Sequence, residues 1–587
     1  MEQEPVPKRV RSYVWEHFDL ISPRKVKCLI CAQELTYSSN TSSMLRHLRA
    51  KHPETTPNTA ATDASAAAAG GAGVGAQQGR QAELDEALVN MIVLDAQPFK
   101  VVEDKGFRAF VQKLDPTYVL PSRQTLKSMV DKKYEEAKKK SINELEKAEA
   151  VSVTADMWTS ITMEAYLGVT CHFINENMEL ASVLLGVGHF TQSHTAENLR
   201  DAMELQLQRW GLRHKVHCLI TDNASNMILC AKLMAVRNLP CFAHSLNLVV
   251  KKALEQTPVL TDIRTRGRRI VTFFKSSVKA KEKLAEVQNH LQTPPHKLLQ
   301  EVDTRWNSTY LMLKRLHEQR EAVSAALASI PTDIPPLVSL DYDAISECLE
   351  VLAPFYLATT ELSAERIVSG SKVIPIIRMV QHKLASKAAG LKNETAGLLC
   401  QNLQQILATR CNVETIRVLA LSTLLDPRFK TLAFGSQSYA QEAVAKLTAE
   451  CATTIRGESA EPSTSQSAAM SEPNPEAGAV DNLWELLDSR VGATQQIPNP
   501  TANATVEVQR YLSEPYLSRG EDPLAYWKTR ATTYPLLFSL AKKYLHMPAT
   551  SVPCERVFSK AGEVASRRRS RLKPRTLETI LFLNKNL

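Results

Sequence analysis

Apolar and polar positions along this chain change period in a set order, and that order predicts the architecture. Residues 81–150 are helical in pattern and densely charged, ending in KKYEEAKKKSINELEKAEA. Three strand-like runs follow, VSVTA at 151–155, EAYLGVTCHFI at 164–174 and ELASVLLGVGHF at 179–190. An amphipathic helix is predicted over 195–210, where Thr195 can cap the first turn and Gly211 can end it. KVHCLIT at 215–221 reads as a further strand, a helix starts near Ala224, a short strand covers 239–242, and another helix opens near Ser245. Three strands followed by strand–helix alternation predict a mixed sheet with helices packed on it. Residues 257–455 are almost wholly helical in pattern. The last 65 residues return to dense helix, with Leu577, Ile580 and Leu581 on one face.

Two stretches break this order. Residues 53–80 hold fourteen Ala or Gly among 28 and almost no large apolar side chains. Such a segment cannot bury enough surface to offset its ordering entropy, so a flexible linker is expected there. Residues 456–480 read the same way, with a softer continuation at 491–505. The resulting division is a small module at 12–52, the linker 53–80, a helical segment 81–150, the first part of the sheet region 151–256, a helical insertion 257–455, a second linker 456–505 and a helical end 506–587.

Composition narrows the class. The chain has 587 residues, is 44% hydrophobic and 23% charged, and suits three or four folding units with ample core. Mean hydropathy is −0.21. No apolar stretch reaches the roughly 20 residues of a membrane span, and the polar, basic start lacks the apolar segment of a secretory signal. Eleven scattered cysteines suit reduced thiols in the cytosol or nucleus. The net charge of +9 is uneven: residues 1–52 carry nine Lys/Arg against five Asp/Glu, and 541–587 carry eleven against three. Basic ends around a near-neutral middle point to a polyanion contacted at discrete places, or to solvated basic tails.

The strongest local motif is Cys28-x2-Cys31-x15-His47-x4-His52. Two thiolates on a tight turn and two imidazoles one helical turn apart can close a tetrahedron around Zn²⁺. A module of about 40 residues has too little core to fold alone, so the metal would supply folding free energy. Trp15 and Phe18, at helical spacing, are expected to pack against it. These six residues resemble the BED-type zinc finger, a family that binds duplex DNA through the finger's helix. The resemblance makes Ser43, Arg46, Arg49 and Lys51 candidates to face bases or phosphates, against the alternative of a solvated helix face.

Asp156 and Asp222 each follow a strand-like run directly. If the two strands are parallel neighbours, both carboxylates meet at the sheet edge where open α/β sheets bind ligands. Close carboxylates repel unless a divalent cation lies between them, and a third from a helix would complete a two-metal phosphoryl-transfer site. Spacing alone does not pick the third, and an Asp after a strand is also an ordinary turn or cap residue.

A set of motifs in order resembles the hAT-superfamily transposases and host proteins descended from them. It comprises TADMWTS at 154–160, TDNASNM at 221–227, CFAHSLNLVV at 241–250, DTRWNSTYLML at 303–313, LLDPRFK at 424–430 and SVPCERVFSKAGEVASRRRSRLKP at 551–574. PFKVVEDKGFRAFVQKLDPTYVLPSR at 98–123 is similar to the segment preceding their catalytic fold. The resemblance implies an α+β multidomain chain: a small ββα-type finger, an RNase H-like mixed sheet with a large all-helical insertion, and a helical C-terminal dimerisation region. It implies that Asp156, Asp222 and Glu555 occupy the catalytic positions, with Mg²⁺ or Mn²⁺ if active, and that Pro553 begins the helix bearing Glu555. Arg305-Trp306 matches a dipeptide whose Trp stacks on an unpaired base, with a core Trp as the alternative. Cys241-x2-His244 supplies only two ligands and reads as a packed Cys and an orienting His. Arg567, Arg568, Arg569 and Arg571, with Lys573 and Arg575, could grip phosphates; they could also serve nuclear import, and residues 7–11 are a second import candidate. Leu577, Ile580, Leu581 and Phe582 fit a shared homodimer interface or ordinary core. Pro354, Phe355, Leu362, Ser363 and Glu365 also match, without assigned chemistry.

Three readings follow from this resemblance. The first is a nuclear, homodimeric, double-stranded-DNA-binding regulator of transcription. The second is an active cut-and-paste transposase, and the third a scaffold that engages protein partners through the helical insertion.

Overall fold

The computed structural model describes residues 13–22, 25–36, 42–52, 71–160, 163–458, 500–565 and 572–587. The chain forms two compact units: residues up to Leu88 with Lys105–Leu120, and Val89–Asp104 with Pro121–Leu587.

In the first unit, strands β1 (Phe18–Ser22), β2 (Lys25–Cys28) and β3 (Glu34–Thr36) form an antiparallel sheet ahead of helix α1 (Ser42–Lys51). The fold is the expected ββα type with one further strand. Val14, Phe18, Val26, Cys28, Met44 and Leu48 make its core, with Trp15 and Leu35 against it. Trp15 and Phe18 do not share a helix: Trp15 lies in a short 3-10 turn and Phe18 opens β1, paired with Cys28. Helix α2 (Gly71–Leu94) begins inside the stretch read as a linker. Alanine is the best helix former, and the AELDEALVNMIVL run propagates the helix back through Ala-rich sequence. A short helix α3 (Lys105–Leu114) follows in chain order.

The second unit contains a five-stranded sheet of β4 (Val151–Thr159), β5 (Ala165–Ile174), β6 (Leu180–His189), β7 (Val216–Thr221) and β8 (Arg237–Pro240), ordered β6-β5-β4-β7-β8. β6, β5 and β4 are antiparallel neighbours; β4, β7 and β8 run parallel. β4 is longer than VSVTA because its pairing with β5 continues through Asp156↔Gly168 to Thr159↔Ala165. Asp156 therefore lies within the strand. Helix α4 (Arg123–Lys147) precedes the sheet, capped by Ser122 Oγ accepting the Thr125 N–H at 3.1 Å. Helices α5 (Ala196–Arg209), α6 (Ser225–Leu233) and α7 (Phe242–Glu255) alternate with the later strands. Thr195 caps α5 through the Asn198 N–H, and Gly211 follows its end at φ 65°.

Helices α8 (Pro258–Ser276), α9 (Val278–His290), α10 (Trp306–Glu318), α11 (Arg320–Ala328), α12 (Ser339–Leu362), α13 (Val373–Ala388), α14 (Glu394–Arg410), α15 (Arg417–Leu425) and α16 (Gln437–Glu458) form the insertion. They share one apolar core with α7 and with α17 (Pro500–Ser513), α18 (Pro523–Arg530) and α19 (Pro535–Leu545). α17 begins within the stretch expected to be a soft linker, because Ala504, Val508 and Tyr511 supply a buried face. LLDPRFK is a structural joint here. Buried Asp426 accepts from Ser371 Oγ at 2.6 Å and from Arg428. Buried Lys430 donates to the Tyr511 and Glu514 carbonyls, both at 2.7 Å, at the end of α17. Desolvation lowers the Lys430 ammonium to about 8, partly opposed by Glu514.

The chain then returns to the sheet through α20 (Val552–Val564) and α21 (Pro574–Asn586). The Asn586 side chain clamps Leu184 of β6, accepting its N–H at 2.8 Å and donating to its carbonyl at 3.1 Å. Phe558 of α20 lies directly over Gly168 of β5, where an added Cβ would fall 2.6 Å from the ring, and it stacks with Trp158 at 6.0 Å. Gly168→Val should therefore destabilise this unit by about 1–3 kcal/mol through overpacking. Thermal unfolding checks this; an unchanged midpoint would show that the ring moves aside freely.

Candidate metal centre and carboxylate cluster

The Cys28–Gln33 turn is closed by the Cys28 N–H to Gln33 O and the Ala32 N–H to Cys28 O, both at 2.9 Å, with Ala32 at φ 59°. It points both thiols toward α1, which presents His47; His52 follows at the helix end, its N–H donating to Leu48 O at 2.8 Å. The ligand atoms of Cys28, Cys31, His47 and His52 lie within 4.8 Å of one another. Cys31 Sγ is 3.2 Å from His47 Nε2, close to the roughly 3.5 Å sulfur–nitrogen edge of a tetrahedral zinc site. Burial, then the neighbouring His52 and Lys51, lower the His47 pKa, keeping the ring neutral as metal ligation requires. The donor set and its spacing fit Zn²⁺. On α1, Arg46 and Lys51 are exposed. The Ser43 hydroxyl instead donates to Thr36 O at 3.2 Å, so it serves the finger's own fold. The Arg49 side chain lies outside the described residues.

The carboxylates are brought together by strand register. β4 and β7 pair in parallel with Thr154 opposite Ile220. Two residues further along each chain, at the same pleat parity, come Asp156 and Asp222. Asp222 Oδ1 accepts the Ala224 N–H at 3.2 Å, closing the turn that leads into α6. Glu555 sits in the first turn of α20, whose start holds Pro553. Its neighbour Cys554 is buried against the sheet, with Sγ 3.1 Å from Thr154 Oγ1 and 3.3 Å from Thr154 O. That contact fixes Glu555 beside the β4 edge across 333 residues of sequence from Asp222. Cys241 anchors the same corner, its buried Sγ accepting the Ser551 N–H at 3.3 Å.

Burial pushes the Asp156 pKa up to about 7; the Met157 N–H opposes this, while the Asp222 and Glu555 charges add to it. The three carboxylates thus feel one another. Among the described residues, the group of His, Cys, Asp or Glu side chains placed to hold a metal ion is that of the finger. The chemistry of the three carboxylates suits a divalent cation.

Arg305 and Trp306 part company. Arg305 is exposed and its guanidinium reaches Glu555 Oε2 at 3.2 Å. Trp306, for which the sequence left base stacking and a core position both open, is 2% exposed. It opens α10 with its backbone N–H donated to Asn247 Oδ1 at 2.9 Å, and its ring packs edge-on to Tyr310 and Phe355. The ring thus takes the core alternative, with its Nε1 buried and without a hydrogen-bond partner.

The last helix's apolar face, open in sequence to a shared interface or to ordinary core, packs internally. Leu577, Ile580 and Leu581 pack with Tyr166, Leu184, Val187 and the apolar face of α20, and Phe582 packs edge-on to Tyr134. Glu365 gains a role that its sequence did not suggest. It pairs with Arg556 at 2.8 Å and Lys585 at 3.2 Å, and Arg556 also donates to Ser363 O at 2.9 Å. The insertion is thereby tied to the helix that bears Glu555. Only the separation of these partners in sequence hides the link. Arg567, Arg568, Arg569 and Arg571, and residues 7–11, lie outside the described residues.

Four family descriptions match the chain in order: BED zinc finger over 12–53, ZBED1 RNase-like domain over 154–241, ZBED1 RNase-like helical domain over 239–341, and hAT family C-terminal dimerisation region over 507–587. Zinc finger BED domain-containing protein 4 of Homo sapiens is 27% identical over 99% of this chain and 52% of its own length. The putative transcriptional regulator tpeD of Talaromyces stipitatus is 24% identical over 85% of this chain and 61% of its own. The putative AC transposase of Zea mays is 24% identical over 84% and 63%. The chain spans between half and two thirds of the length of these relatives.

Proposed function

As a BED-finger chain built on the RNase-like, helical and dimerisation regions of the hAT group, this protein, we propose, is a zinc-dependent regulator that binds duplex DNA as a nuclear homodimer. The observation that carries the reading is the Cys28, Cys31, His47, His52 cluster, which pins a helix bearing exposed Arg46 and Lys51. Zn²⁺ held there would supply the folding free energy that six buried side chains cannot. Arg46 is suited to a guanine edge and Lys51 to a phosphate. Two fingers on one dimer raise each other's effective concentration at paired half-sites. Basic segments near both ends fit nuclear import and supplementary phosphate contact.

The test is selection of bound duplexes from a random pool with the full chain, followed by titration. Lys51→Ala should weaken binding to every sequence alike and reduce the salt slope by about 1, whereas Arg46→Ala should cost about tenfold at one base position. Selection that enriches no motif would reject sequence-specific regulation.

A second reading, a DNA-cleaving transposase, is favoured by the in-register Asp156 and Asp222 with Glu555 alongside. Its test is incubation with candidate terminal repeats and Mg²⁺ or Mn²⁺. Cleavage lost in Asp156→Ala would establish it; no cleavage across conditions favours the regulator.

A further inference from the structure

Arg305 is held firmly by its backbone and loosely by its side chain. Asn247 of α7 brackets it: Nδ2 donates to Thr304 O at 3.2 Å and Oδ1 accepts the Trp306 N–H at 2.9 Å. The Arg305 N–H donates to Val302 O at 3.0 Å, and the Ser308 hydroxyl reaches Arg305 O at 2.6 Å. The buried Trp306 ring anchors the next position. Nearby arginines of the insertion are spent inside it, Arg264 and Arg268 on Glu301 and Asp303, and Arg266 on Asp262 and Asp341. The Arg305 guanidinium instead leaves the insertion and meets Glu555 Oε2 at 3.2 Å, 250 residues further along the chain. On α20 the adjacent Arg556 is turned to Glu365. Among the described residues, the ion pair to Glu555 is made by Arg305.

We infer that Arg305 is a removable counter-ion of the carboxylate cluster: it occupies Glu555 while the cluster is without a divalent cation, and gives that carboxylate up when one enters. The inference rests on the second reading above, in which Asp156, Asp222 and Glu555 take such a cation. Asp222 and Glu555 act on Asp156 as like charges, and a guanidinium on Glu555 relieves part of that crowding. A guanidinium and a divalent cation drawn to one carboxylate are themselves like charges, so each weakens the hold of the other. The pair is built to open. Its side chains are 69% and 36% exposed, and an ion pair this exposed is weak. Because the backbone is what is clamped, the guanidinium can leave Glu555 without disturbing α10 and return to the same place. Its effect is to raise the cation concentration at which the cluster fills.

Mn²⁺ binding to the full, zinc-loaded chain at pH 8, followed by electron paramagnetic resonance, tests this without reference to activity. Arg305→Gln should bind Mn²⁺ about fivefold more tightly than wild type, with circular dichroism and the unfolding midpoint unchanged. In a Glu555→Gln background the same substitution should bring no gain, because the contested carboxylate is gone. Affinity that is unchanged or lowered in Arg305→Gln would overturn the inference and leave the cation reading standing. An equal gain in the Glu555→Gln background would also overturn it, since Arg305 would then act as a diffuse charge and not as the partner of Glu555. Mn²⁺ bound by neither wild type nor Arg305→Gln, or bound equally well by Asp156→Asn, would overturn both.

Discussion

Cys28→Ser is expected to abolish zinc retention and to reduce binding at the selected DNA site to the non-specific level, a loss of about 10³-fold or more. Among the described residues the finger's core is six side chains, far too few to hold β1–β3 against α1 without the metal link. Losing one of four ligands removes most of a binding free energy on the order of 10 kcal/mol, which in such a module is the folding free energy. Self-association should persist, because the region matching the dimerisation description, 507–587, lies outside the finger. Zinc stoichiometry by metal analysis, duplex titration and sedimentation on one preparation check all three parts. A variant that keeps zinc and site-specific affinity would remove this cluster from the account.

Asp156→Asn should raise the stability of the second unit, and the gain should depend on pH. Asp156 binds its proton up to about pH 7 when folded, against an ordinary value of 3.8. Between those values the folded state holds a proton that the unfolded state has lost. Stability contributed by this group is therefore complete below about pH 4, falls as pH rises to about 7, and stays lost above. Three pH units correspond to about 4 kcal/mol as an upper figure. Asn carries no charge, so its advantage should be largest at pH 8 and vanish near pH 4. Denaturant unfolding at several pH values measures it; equal effects at pH 5 and pH 8 would show that Asp156 is ionised throughout. A side chain whose charge costs stability is the kind retained at a working site. Stabilisation of wild type by Mn²⁺ at pH 8, absent in Asp156→Asn, would favour the transposase reading.

The parts of this molecule that were legible in sequence are those set by local spacing. The Cys–His pattern, the Thr195 cap, Gly211 and the strand order all act over a few residues, where the chain's own geometry decides the outcome. The Asp156–Asp222 pairing was legible as a condition, met once β4 and β7 pair in parallel. Glu555 was reachable only through resemblance, because its approach depends on Cys554 gripping Thr154 across 400 residues. Alanine content misplaced the start of α2, since the same composition serves a linker or a helix until a buried face follows it.

By itself, then, the sequence determined which residues could bind a metal, which segments would be helix or strand, and in what order. Tertiary structure alone decided which apolar faces were already covered. Trp306 and Leu577–Phe582 carry the same periodicity whether they meet solvent, DNA, a second copy or their own core. Periodicity states that a face must be buried; only packing in three dimensions supplies the surface that buries it, and here that surface came from the same chain.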